Sequence, residues 1–191
     1  MVDGMPELEK IPEQDIPVDE IIGKLSANMK VPILYDGGDR AYYSLAYDEI
    51  HLPTPGSFDS EYAFNATALH ELAHSTGHPS RLDRPLGGFF GSAAYAYEEL
   101  VAEMTSCFMG VGLQAELTTE HFNNHKAYVQ SWIQAIRDKP ETLVRAIKDA
   151  QSAANYMDWK AELITEMEYN SKAEKVLELP CSEPRSLGME R

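Results

Sequence analysis

Two histidines four residues apart, with a glutamate directly after the first, are the part of this 191-residue chain best suited to chemistry: His70-Glu71-Leu72-Ala73-His74. On a helix, positions i and i+4 project from one face about one turn apart, so two imidazole nitrogens can reach a single ion at about 2.0–2.1 Å. Glu71 lies about 100° around the same helix from His70, near enough to take a proton from a water beside the ion without ligating the ion itself. A catalytic zinc takes three protein ligands and keeps a fourth position open, so a third donor must come from another element. The five residues alone do not decide the matter, because two helix-borne histidines also occur as surface residues or as a hydrogen-bonded pair.

The next helical pattern contains YEELVAE at 97–103, where Glu99 and Glu103 lie four apart on one face. Carboxylates inside an otherwise apolar helix are costly to bury unless a cation or hydrogen bonds compensate them. Thermolysin-like enzymes carry a similar pair, a glutamate ligand followed four positions later by an acid that hydrogen-bonds a ligand histidine. By that analogy Glu99 is the third ligand, and Glu103 orients His70 or His74 through its other ring nitrogen. The opposite order, with Glu103 on the metal and Glu99 or Glu98 behind it, stays open. So does an ordinary exposed acidic stripe. His78, four residues past His74, is a further rival, but Gly77 and Pro79 indicate that the helix has ended there.

The elements that must position these residues are legible in outline. Residues 1–18 hold three prolines and no sustained period, which predicts an extended lead-in. A domain over 19–170 begins with a short amphipathic helix capped by Asp19, with Ile21, Ile22 and Leu25 at helical spacing. Short Val-, Ile- and Tyr-rich runs between Val31 and Pro53 predict a small antiparallel meander. Ser57 or Ser60 then caps a helix over about 60–77 that places Phe64, Ala68, Leu72 and Ser75 on one side. A Gly- and Arg-rich loop leads to a mostly apolar helix ending at Gly110, followed by helices over about 119–137 and 141–168 and a polar tail over 171–191. The expected fold class is α+β, a small sheet followed by an active-site helix and a mainly helical C-terminal half.

Bulk composition limits the function. With 43% apolar and 25% charged residues the chain falls among globular proteins, and its length suits one core. Its 16 basic residues face 31 acidic ones, a net charge of −15, which argues against direct nucleic-acid binding. No apolar run approaches the roughly 20 residues of a membrane helix, and no export signal opens the chain. Cys107 and Cys181 lack disulfide or metal spacing and read as reduced thiols, so a cytoplasmic location is expected.

HELAHSTGHPSRLDR, FGSAAYAYEELVAEM and NNHKAYVQSWIQAI, in that order, resemble the zincin-like metallopeptidase part of plasmid antirestriction proteins of the ArdC type. The likeness runs from GGDRAYYS at 37–44 to AQSAANYM at 150–157 and covers about residues 20–160. The resemblance implies His70 and His74 as zinc ligands, Glu71 as the catalytic carboxylate and Glu99 as third ligand. It also implies a protein or peptide substrate, with single-stranded-DNA binding belonging to an N-terminal part that this chain does not resemble. His125 matches a family histidine, although Lys126 stands where alanine is common, and it is one candidate donor to a developing oxyanion; Tyr95 is another. His121 and His125 are equally consistent with two helix-face histidines, and Tyr95 with packing. Arg81 and Arg84 match the family stretch too, with pairing to local acids such as Asp83 the expected role. The segment AYYSLAYDEIHLP is a candidate edge strand for aligning an extended peptide.

Overall fold

A computed structural model of the chain describes residues 18–36, 38–89, 92–112 and 140–178. Helix α1, Val18–Met29, starts one residue before the expected cap and presents Ile21 and Leu25, both fully buried, to the core with Ile22 and Met29. Gly23 does not interrupt it. The sheet comprises β1 (Ile33–Tyr35), β2 (Tyr42–Ser44) and β3 (Glu49–Leu52) in the order β1-β3-β2.

The sheet is mixed, not the antiparallel meander its sequence suggests. β2 and β3 form an antiparallel hairpin with Tyr43 opposite Ile50, whereas β1 runs parallel to β3 with Ile33 opposite Ile50. The physical reason lies in β3, whose Ile50 and Leu52 are fully buried and alternate with half-buried neighbours. The strand with the strongest inward face takes the centre, and β1 is left to pair on its other side.

After a short 3-10 turn at Pro55–Ser57, helix α2 spans Glu61–Ser75. Ser60 is its cap, its Oγ accepting from Ala63 N at 3.1 Å. Ala68, Leu69, Leu72 and Ala73 form its buried stripe, with Phe64 packed at the margin. Helix α3, Ala93–Gly112, packs on α2 on one side and on α4, Pro140–Lys160, on the other.

The single helix expected over 141–168 is two helices. Chain direction changes at Ala161–Thr165, where Glu162 takes φ 62°, and α5 then runs Glu166–Glu178, across the expected boundary at 170. Thr165 and Glu168 form a capping box: Glu168 Oε2 accepts from Thr165 N at 2.8 Å and Thr165 Oγ1 accepts from Glu168 N at 3.3 Å. Asn28 of α1 donates to the Lys160 carbonyl at 2.7 Å, closing α1 onto the end of α4. None of the described helices is long and apolar enough to cross a membrane. The expected helix at 119–137 lies outside the described residues, as do His121, His125 and Lys126.

Candidate metal centre

The last turn of an α-helix leaves carbonyl oxygens without partners inside the helix. At the end of α2 the loop that follows supplies them. Arg81 Nε donates to Ser75 O at 2.6 Å, and Arg84 Nη2 to Ala73 O at 3.0 Å. Two cations thus sit at the negative end of the helix dipole. Gly77 permits the close return of the loop, since a Cβ there would lie 2.6 Å from Leu86 Cδ2. His70 and His74 are held on this tightly finished turn.

The Nε2 atoms of His70 and His74 face each other at 3.1 Å. Glu99 reaches across from α3, with Oε2 at 3.6 Å from His70 Nε2 and Oε1 at 3.7 Å from His74 Nε2. Donor atoms around one tetrahedral ion lie about 3.4 Å apart, given metal–nitrogen and metal–oxygen bonds near 2.1 Å. The triad fits: one atom from each of His70, His74 and Glu99 lies within 4.8 Å of the others, so the three could hold a metal ion.

The opposite ring nitrogens strengthen that fit. His70 Nδ1 lies 3.2 Å from Glu103 Oε2, and His74 Nδ1 lies 3.4 Å from Glu98 Oε1. Carboxylates only accept, so each Nδ1 carries the proton and each Nε2 presents a lone pair. Two such lone pairs at 3.1 Å repel unless a cation or a proton lies between them. With no ion bound, a proton between the rings charges them, and against the upward push of burial the pairing with His70 and the charges of the protonated histidines hold Glu99 below the usual carboxylate range. It is therefore an anion at neutral pH, as a metal ligand must be.

Glu98 also titrates low: burial raises it, but hydrogen bonds from His74 and Arg84 more than offset this. Tyr95 is pushed up to about 12, first by burial and then by its hydrogen bond to Glu99, so the phenol keeps its proton. Tyr95, Glu71 and the His70–His74–Glu99 triad line one cleft of about 410 Å³, bordered on the sheet side by Tyr42, Tyr43 and Leu45. β2, which carries the first two of these, is an edge strand among the described residues. Glu71 is only 7% exposed, beside both histidines.

Most of the expected residues therefore meet in one place: His70, Glu71, His74, Tyr95, Glu99 and, behind His70, Glu103. His78 does not join them. It lies past the end of α2, with Nδ1 2.8 Å from Ser80 Oγ. The two arginines do not pair with Asp83. Arg81 binds Asp48 and Arg84 binds Glu98, because both side chains fold back onto the last turn of α2. Glu98 is expected behind the metal only in the order that has Glu103 on the ion; here Glu98 backs His74 while Glu103 backs His70. The doubled acid Glu98-Glu99 was the available signal, since adjacent helical residues point about 100° apart and can serve opposite sides of a ring.

The chain belongs to the zincin-like metallopeptidases, whose family matches residues 20–149. Among solved structures it is similar to the antirestriction protein ArdC of plasmid R388 in its Mn(II)-bound form. That likeness has 33% identity and a TM-score of 0.64, and covers 85% of this chain and 60% of ArdC. It is also 43% identical over 157 residues to the DNA primase TraC of Escherichia coli, and 35% identical over 158 residues to the uncharacterized protein y4eC of Sinorhizobium fredii. Each of these two matches covers 82% of this chain, which spans 14% of TraC and 50% of y4eC.

Proposed function

We propose that the chain is a zinc-dependent peptidase domain that hydrolyses peptide bonds of a cytoplasmic protein in the antirestriction biology of mobile elements. The observation that carries this reading is Glu71. A metal site with a purely structural role needs no general base and is usually closed by a fourth protein ligand. Here a carboxylate lies beside three donors in an open cleft.

In this reading His70, His74 and Glu99 hold the ion, which when bound polarises the scissile carbonyl and lowers the pKa of water toward about 7. Glu71 accepts the proton of the attacking water and returns it to the leaving nitrogen. The Tyr95 hydroxyl, kept protonated, donates to the oxygen on which negative charge develops. β2 is at the edge of the sheet among the described residues, and its outer backbone groups are those along which an extended substrate aligns as an added strand. Zinc is inferred from the histidine-rich donor set, and the Mn(II) bound to ArdC makes manganese the metal to compare.

The acidic balance, −15 overall, favours a second reading: a metal-containing scaffold that occludes a basic partner without turnover. Glu71→Gln separates the two. The variant should retain one equivalent of zinc and lose at least about 100-fold in chelator-sensitive cleavage of denatured proteins, the scale of general acid–base catalysis. Undiminished cleavage by pure variant would remove Glu71 from the chemistry. Partner binding by the variant at wild-type strength, with no cleavage by either protein, favours the scaffold.

A further inference from the structure

Arg84 is 8% exposed and Glu98 7%, so their charges are paired in the interior of the cleft wall. A buried ion pair adds little net stability, because desolvation offsets the attraction. Its position has a different consequence. Arg84 Nε donates to Glu98 Oε2 at 3.1 Å and Nη2 to Oε1 at 2.6 Å, so one guanidinium grips both oxygens. The same group is fixed to the turn that carries His74, through Nη1 to Thr76 Oγ1 at 2.6 Å and Nη2 to Ala73 O at 3.0 Å. Glu98 Oε1 then faces His74 Nδ1 at 3.4 Å. The glycine at 77 is part of this arrangement, as a Cβ there would come within 3.2 Å of Arg84 Nη2.

We propose that Arg84 is a positioning residue of the metal centre, acting on His74 through Glu98. By holding both Glu98 oxygens it keeps that carboxylate behind the imidazole and fixes His74 with Nε2 toward the ion. It also reserves the ligand position for Glu99, which would otherwise compete with an unrestrained carboxylate one residue away. The proposal rests on the reading of His70, His74 and Glu99 as a metal site.

The test uses the 191-residue chain. Zinc affinity is measured by chelator competition, and the visible absorption of the cobalt(II) form at saturating metal, for wild type, Arg84→Met, Arg84→Lys, Glu98→Gln and the Arg84→Met/Glu98→Gln double variant. Arg84→Met should weaken zinc binding about 10–100-fold, the range for partners of ligand histidines. It should also change the cobalt spectrum as Glu98 gains access to the ion, a change that loss of stability alone does not produce. Lysine keeps the charge but cannot grip both oxygens, so Arg84→Lys should recover only part of the affinity. The double variant should bind no more than about threefold more weakly than the weaker single variant, since both remove one coupled unit.

Folded Arg84→Met with wild-type affinity and spectrum overturns the proposal. If that variant does not fold, unchanged zinc affinity in both Arg84→Lys and Glu98→Gln overturns it instead. Failure of the wild type to take up one equivalent of zinc would overturn the metal reading itself, and is seen before any variant is compared.

Discussion

The cleft has a helical wall and a sheet wall, and two arginines three residues apart hold one each. On the helical wall, every ring nitrogen turned away from the donor triad meets a carboxylate, Glu103 behind His70 and Glu98 behind His74, with Arg84 gripping Glu98. On the sheet wall, Arg81 donates to Asp48 at the β2–β3 turn and, at 3.2 Å each, to Tyr43 Oη and to Met29 O of α1. Both arginines are anchored on carbonyls in the last turn of α2. One short loop therefore sets the distance between the donor triad and the strand that borders it. The walls should nevertheless fail separately, because among the described residues the contacts of Arg81 do not include the donor triad and those of Arg84 do not include the sheet.

The largest effects are expected on the helical wall. His74→Ala and Glu99→Ala should each weaken zinc binding by more than about 100-fold, while Glu103→Ala, which removes only the partner of His70, should cost about 10–100-fold. Zinc content after dialysis against buffered chelator ranks the three. If Glu103→Ala loses the metal and Glu99→Ala keeps it, the ligand order is reversed, and the division between the carboxylates on the ion and those behind the rings has to be redrawn.

That division marks how far the sequence could be read. The histidine spacing and the ExxxE pair led to the triad because a helix fixes where i and i+4 point, whatever it packs against. Glu98 and the arginines were harder to read, because their partners depend on a loop reversal that periodicity does not encode. Arg84 reaches 14 residues ahead to Glu98, and Arg81 reaches 33 back to Asp48, whereas Asp83 is near in sequence only. β1 is three residues long, too short to reveal that its partner is β3, and the mixed sheet followed from that pairing. The break at residues 161–165 is legible in principle: Thr165-x-x-Glu168 is a capping-box signature, set inside a long amphipathic pattern that masks it.

A smaller and different loss is expected from the sheet wall. The Arg81 side chain is 4% exposed and Asp48 27%, so Arg81→Met leaves backbone carbonyls without their donor and a part-buried carboxylate with the Tyr43 hydroxyl in place of its cation. The cost should be about 2–3 kcal/mol, or roughly 5–10 °C in Tm for a domain of this size, with zinc affinity within about threefold of wild type. A large drop in affinity would show that the walls are coupled. The pH dependence sharpens the point. Burial pushes Asp48 up, but hydrogen bonds from Arg81 and Tyr43 hold it below its usual value of 3.8. A depressed carboxylate stabilises the fold fully above its unfolded pKa, near 3.9, and loses that contribution as pH falls through the lower folded value. The stability gap between wild type and Arg81→Met, measured by urea midpoints, should therefore be widest above pH 4 and narrow in more acid solution.

The smallest effect tests whether the end of α2, rather than the whole helix, is the common reference for both walls. Ser60 caps the other end, ten residues before His70, or about 15 Å along the axis. Ser60→Ala should remove one capping hydrogen bond and cost about 1 kcal/mol of stability. The arginine contacts at Ala73 and Ser75 are untouched by this change, so zinc affinity and the cobalt spectrum should stay at wild-type values while Tm falls by roughly 2–4 °C. Fraying at the first turn that reached the metal would instead mean that α2 transmits its disorder along its length, and that the two arginines do not isolate the last turn from the first.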